Sequence, residues 1–238
     1  MAFTKTEVEQ YHRDGFIVEK GLLSEAELVP LRCAVDEVLA EVRQEAIAAG
    51  KDPEGLFASG VYVGLSLRRE IFRQIARHPR LLDNLEALIG KDIGFLSDKV
   101  AFKGKGVTFN SPWHQDWSYW GGSNKLSVWV ALDRATPENG CLQVLPGSHL
   151  KPIEHDHVSS AQGFGNRLDL AQRGLDMSKV VTVPAEPGDA IYFHDLALHA
   201  SLPNRTGEER RALIITYRDL SQPDRDYPSL SAAARVRG

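Results

Sequence analysis

Pro187-Gly188-Asp189-Ala190-Ile191-Tyr192-Phe193-His194 is a tight turn feeding a short apolar run, and the pattern recurs through the second half of the chain. Comparable β-like runs occupy residues 94–103, 126–132, 141–145, 180–183 and 211–217. Clusters such as Pro137-Glu138-Asn139-Gly140 and Pro146-Gly147-Ser148 punctuate them. Many short strands divided by turn residues argue for a β-sandwich.

Residues 1–92 have a different texture. Thr4-Lys5-Thr6-Glu7 carries capping-box spacing, and Gly15 closes the helix it starts. Phe16-Ile17-Val18 is a short apolar strand. Ser24-Glu25-Ala26-Glu27 repeats the cap, after which Leu28, Leu31, Val35, Val38, Leu39 and Val42 keep helical spacing up to Gly50. Two further short helices are predicted over 69–76 and 81–89. Pro53, Gly55, Gly60 and Gly64 predict a loop over 51–66. The expectation is one domain over 1–238. A mainly helical flank (1–92) packs on one sheet of a β core (93–220), and a polar surface loop or lid spans 155–178.

Composition narrows the function classes. The 238 residues carry 28 Lys+Arg against 32 Asp+Glu, a formal charge of −4, which gives no basic field for nucleic acid or a membrane surface. No apolar run approaches the roughly 18 residues of a membrane span, and no secretory signal is evident. Two cysteines, Cys33 and Cys141, cannot build a disulfide framework and fit a reducing compartment. These features predict a cytoplasmic monomer or small homo-oligomer acting on a small molecule.

The chemistry concentrates around Trp113-His114-Gln115-Asp116, preceded by Ser111-Pro112. Proline favours extended backbone before it, and residues i and i+2 of a strand share a face. His114 and Asp116, joined by the distant His199, would place two imidazoles and a carboxylate on one side of a metal. That is the arrangement of non-haem Fe(II) oxygenases, with the opposite side open. A His-x-Asp triplet alone is better described as a solvated surface pair, since such triplets are common by chance. The far end of the chain adds weight: Ala190 to His194, His199-Ala200-Ser201, a polar turn and Arg210 to Ile215 read as a hairpin. If Ser201 pairs with Arg210, His199 lies opposite Ala212 and the group shares one face. A buried cation needs an anion, and a dicarboxylate cosubstrate would supply one through paired charge-assisted hydrogen bonds. A slip of one residue would instead bring in Arg211, and periodicity leaves both registers open.

Other residues have two readings. His155-Asp156-His157 is metal-like in composition, but a solvated loop suits it better. His149 and His194 read as turn or supporting positions, His12 and His78 as surface. Trp113, Trp117, Tyr119 and Trp120 either wall an apolar or ring-bearing substrate or pack in the core. Lys99 and Lys103 share a strand face, and either can approach the site. Trp117, Trp120 and Lys103 are the candidate substrate contacts.

At these residues the chain resembles the phytanoyl-CoA dioxygenase family of Fe(II)- and 2-oxoglutarate-dependent oxygenases. Four stretches carry the resemblance in order: residues 11–18, Trp113-His114-Gln115-Asp116, residues 138–149, and His199-Ala200-Ser201 through Asn204, Thr206 and Arg210. It implies a mainly β fold with a double-stranded β-helix (jelly-roll) core. It implies iron ligation by His114, Asp116 and His199, with Arg210 and Ser201 on the tail carboxylate of 2-oxoglutarate. Trp129 would lie beside the cosubstrate, where the residues alone allow an ordinary core tryptophan. The implied reaction is hydroxylation of a small molecule with Fe(II), 2-oxoglutarate and O2, releasing succinate and CO2. Desaturation or ring closure would use the same ligands, whereas related halogenases lack the carboxylate. A non-catalytic 2-oxoglutarate- or metal-binding sensor and a cupin-type enzyme without cosubstrate are the remaining readings. The complete triad and an inward arginine argue against both.

Overall fold

The computed structural model describes residues 2–104, 110–120, 125–157, 166–168, 170–223 and 234–238. The helical flank comprises α1 (Lys5–Asp14), β1 (Phe16–Glu19), α2 (Glu25–Ala48), α3 (Pro53–Leu56), β2 (Val61–Val63), α4 (Glu70–Ile75) and α5 (Pro79–Ile89). Next come β3 (Ile93–Lys103), β4 (Ser111–His114), α6 (Trp117–Trp120), β5 (Lys125–Ala131), β6 (Leu142–Val144), β7 (Asp156–His157) and β8 (Asn166–Arg167). The chain closes with β9 (Val181–Val183), β10 (Ala190–His194), β11 (His199–Ser201), β12 (Arg210–Asp219) and β13 (Ala234–Arg237).

Local chemistry sets the helix ends. At α1 the Thr4 hydroxyl accepts the Glu7 N–H, and the Glu7 carboxylate accepts the Thr4 N–H at 2.7 Å. Gly15 ends the helix at φ +82°, a left-handed conformation that glycine adopts without a Cβ clash. Ser24 and Glu27 form the same box at α2, and Pro79 starts α5 where its missing N–H is harmless.

Among the described residues, all strand pairs are antiparallel and fall mainly into two sheets. The larger has the order β1-β10-β5-β12-β3-β13, with β2 also on β3; the smaller is β4-β11-β6-β9. Leu28, Leu31, Val35 and Val38 of α2 and Leu81 and Leu85 of α5 join Val100, Val128, Val130, Leu213 and Ile215 in one apolar cluster. The helices therefore cover the outer face of the larger sheet. Burying each such side chain contributes about 1.5–3 kcal/mol. The alternate residues Trp129, Ile191, Phe193, Ala212 and Ile214 meet Leu142, Val144 and Val183 of the smaller sheet. A strand covered on both faces loses its polar alternation, and every residue of β5 is buried. This is the jelly-roll core.

Three expectations are corrected. The proposed hairpin does not form: β11 pairs with β4 and β6, whereas β12 pairs with β3 and β5. The polar turn after Ser201 carries the chain from one sheet to the other, so Ser201 and Arg210 face each other across the sandwich. Residues 51–66 are not loop throughout, because β2 extends the sheet beside β3. The strand carrying the metal motif ends at His114, and Asp116 lies in the turn into α6, where its carbonyl accepts the Tyr119 N–H. Of the lid segment 155–178, residues 158–165 and 169 lie outside the described residues. Leu168, Leu170, Leu175 and Met177 pack with Leu145 and Leu198. Among the described residues no helix is long and apolar enough to cross a membrane.

Candidate metal and cosubstrate site

Two strands of the smaller sheet bring the imidazoles together. His199 on β11 is the cross-strand partner of His114 on β4, and their ring centroids are 4.2 Å apart. The His114 Nδ1–H donates to the Pro112 carbonyl at 2.7 Å, and the His199 Nδ1–H to the Ala197 carbonyl at 2.9 Å. A carbonyl only accepts, so these bonds place the ring proton of each histidine on Nδ1 and its lone pair on Nε2. Asp116 Oδ1 lies 3.5 Å from His114 Nε2 and 3.9 Å from His199 Nε2. One ligand atom from each of the three residues lies within 4.8 Å of the others. The three side chains are buried.

The electrostatics suit ligation. Burial, then the neighbouring His114, push His199 down to about 3, so its ring is neutral at physiological pH. Burial opposes ionisation of Asp116, but the field of Lys99 and the two histidines together outweigh it. They hold the carboxyl well below the usual carboxylate range. Ser127 Oγ donates to Asp116 Oδ2 at 3.3 Å and contacts Thr216 Oγ1 at 3.1 Å.

Sequence reasoning overlooked Gln115, whose side chain sits behind the motif. It donates to the carbonyls of Leu196 (2.6 Å) and Lys151 (3.2 Å) and accepts from Trp117 Nε1 (2.9 Å) and the Ile153 N–H (2.8 Å). Its backbone N–H donates to His155 Nε2 at 2.9 Å. His155 is thus buried rather than solvated as a loop histidine would be. A residue between two ligands carries no sequence mark of such a role.

The His114–Asp116–His199 cluster opens into a cavity of about 570 Å³, mouth included, between the sheets. Trp129, Phe193, Ser201, Arg210 and Lys99 line it, and Val61 of β2 closes one side. Arg210 is 2% exposed, its Nε has no hydrogen-bond partner among the described residues, and its guanidinium lies over the Trp129 ring at 5.7 Å. Burial, partly opposed by Cys141 and Asp133, brings it down to about 10, still charged. Arg211 takes the outward register, with Nε 2.8 Å from Asp133 and Nη1 2.5 Å from Asp36. An orphaned buried guanidinium facing two imidazoles and a carboxylate fits a metal bound together with an organic dicarboxylate.

The substrate candidates divide. Lys103 Nζ donates to Ser201 Oγ at 2.7 Å and to the Leu202 carbonyl, so it supports Ser201 from behind. Lys99 is the lysine that lines the cavity. Trp117 turns to Gln115, and Trp113 packs beside Leu145 and Leu198. Tyr119 presents its ring edge-on to His114 at 5.9 Å. The side chain of Trp120 lies outside the described residues.

The phytanoyl-CoA dioxygenase family model matches residues 11–212. L-proline trans-4-hydroxylase of Streptomyces griseoviridis is 28% identical over 228 residues, covering 87% of this chain and 84% of that protein. Methylphosphonate hydroxylase of Gimesia maris is 29% identical over 227 residues, covering 93% and 83%. Among solved structures, the non-heme monooxygenase ThoJ superposes with a TM-score of 0.76 at 26% identity, covering 97% of this chain and 83% of that one.

Proposed function

The chain belongs to the phytanoyl-CoA dioxygenase family, and on that premise we propose that it is an Fe(II)- and 2-oxoglutarate-dependent dioxygenase that hydroxylates a small organic molecule. The observation that carries this reading is one cavity holding both the His114–Asp116–His199 cluster and the unpartnered Arg210. The small substrates named for the two hydroxylase relatives support a small-molecule substrate.

In this reading His114, Asp116 and His199 hold the metal from one side. Arg210 takes the cosubstrate's tail carboxylate through paired N–H donors, assisted by the Ser201 hydroxyl, which Lys103 orients. Trp129 stacks beneath the guanidinium and limits its approach angle. Iron and 2-oxoglutarate, when bound, supply the oxidation of substrate by dioxygen coupled to decarboxylation to succinate and CO2. The apolar walls Val61, Phe193 and Ile214 exclude water from that chemistry. The two free cysteines support a cytoplasmic location.

Anaerobic addition of Fe(II) and 2-oxoglutarate to the protein is expected to give the visible charge-transfer absorption of the chelate, and admission of oxygen to give succinate. A protein that binds neither component, or yields no succinate with iron bound, would exclude this function.

A further inference from the structure

We propose that Lys99 is a specificity-determining residue that holds an anionic group of the substrate, so that this chain selects small organic acids. The inference rests on the dioxygenase reading above and concerns a charge that reading leaves over.

Lys99 lies on β3, on the face it shares with Ala101 and Lys103, and lines the cavity beside the metal cluster. Among the described residues, three cations of this region have different commitments. Lys103 bonds Ser201 and the Leu202 carbonyl, and Arg210 stands where the cosubstrate tail would lie. The Lys99 ammonium has no hydrogen-bond or ion-pair partner among the described residues. Its field is nevertheless the largest influence opposing burial at Asp116.

Its place in the sheet separates it from the cosubstrate tail. Arg210 pairs across the strands with Lys103, whereas Lys99 pairs with Ile214 and Val63. Four residues along β3 separate the two rows, about 13 Å of strand. Around Lys99 the walls are Val61, Ala101, Phe193 and Ile214. A half-buried ammonium among apolar side chains is costly unless an anion meets it. A divalent metal, the Asp116 carboxylate, a dicarboxylate cosubstrate and the Arg210 guanidinium together cancel in charge. Lys99 then remains positive at the cavity wall, and a singly charged acid neutralises it.

The test uses the full chain loaded with zinc(II) and 2-oxoglutarate, which binds without turning over. Calorimetric titrations compare small aliphatic and ring-bearing carboxylates and phosphonates with the amides and alcohols of the same skeletons. Wild-type protein should bind members of the acid set and reject their neutral counterparts. Lys99→Met should weaken acid binding by on the order of 30-fold or more, the size of losing one member of a buried charge pair. Lys99→Arg should restore part of it, and 2-oxoglutarate affinity should persist in Lys99→Met.

Equal acid binding by Lys99→Met and wild type overturns the proposal, as does a preference for the neutral set. No acid binding by wild type at millimolar concentration overturns it too. A Lys99→Met defect confined to zinc or 2-oxoglutarate would assign Lys99 to the metal or cosubstrate instead. Zinc and 2-oxoglutarate titrations of wild type in the same series test the underlying reading separately: their failure sinks that reading, whereas acid failure alone sinks only the role of Lys99.

Discussion

His114 and His199 are direct cross-strand partners on neighbouring strands of the smaller sheet, although they lie eighty-five positions apart in the chain. The sheet therefore holds two of the three candidate ligands at a separation that hydrogen bonding sets in advance. A metal gains little from reorganising such a site and loses much when one member goes. His114→Ala, His199→Ala and Asp116→Ala are each expected to leave the fold intact and abolish stoichiometric metal binding. Metal content after reconstitution, read beside circular dichroism, checks this; a well-folded variant that retains a full equivalent of iron would remove that residue from the ligand set.

Arg210 and Arg211 make opposite predictions from adjacent positions. Arg210 is buried with no hydrogen-bonded anion among the described residues, whereas Arg211 is paired with Asp133 and Asp36. Arg210→Met should weaken 2-oxoglutarate binding by about tenfold or more, consistent with the roughly 2–5 kcal/mol lost with one partner of a buried charge pair. The same change should raise the melting temperature of the cosubstrate-free protein, because it removes an uncompensated buried charge. Arg211→Met should lower stability and spare the cosubstrate. Melting curves with and without 2-oxoglutarate read both effects, and a loss of 2-oxoglutarate stabilisation in Arg211→Met alone would reverse the assignment.

These two arginines also show what the sequence could and could not convey. Alternation marks one of them as inward but cannot say which, and the family resemblance chose Arg210. The expected geometry was nevertheless wrong, since Ser201 approaches Arg210 from the opposite sheet. Periodicity reports which face a strand buries and is silent on which strand lies beside it. Thr4, Ser24 and the apolar spacing of α2 were legible because helix signals are local. β4 and β11 were harder to see, being short strands whose pairing is set by partners far away in the chain. Gln115 and His155 left no trace in the pattern because their bonds reach backbone groups of distant turns.

Lys103 gives a pH signature. Burial, and then the charge of Arg210, push its ammonium down to about 7, against about 10.4 in an unfolded chain. Between those values the unfolded state binds more protons than the folded one, so stability rises with pH. Below about 7 both states are protonated and the buried charge exerts its full cost. Urea midpoints of the cosubstrate-free protein should therefore climb from pH 7 towards 10, and Lys103→Met should flatten that climb. Parallel profiles for the two proteins would mean that Lys103 titrates normally.

Gln115 ties the segments that carry all three candidate ligands. Its amide donates to Leu196, three residues before His199, and to Lys151, while its oxygen accepts from Trp117 and Ile153. Gln115→Leu keeps the volume and removes every one of these bonds. Each buried group left unsatisfied costs about 1–3 kcal/mol, so a total loss of about 3 kcal/mol or more is expected in chemical denaturation. Metal affinity should fall as well, on the order of tenfold, as it does when groups supporting a ligand are altered. Gln115→Glu should be worse than leucine, because a carboxylate would face the Leu196 and Lys151 carbonyls with no proton to donate. Zinc titration of the three proteins, ranked wild type, leucine, glutamate, checks the order. If the glutamate variant matched wild type in both stability and zinc affinity, the clamp would be a consequence of the fold and not a support of the site.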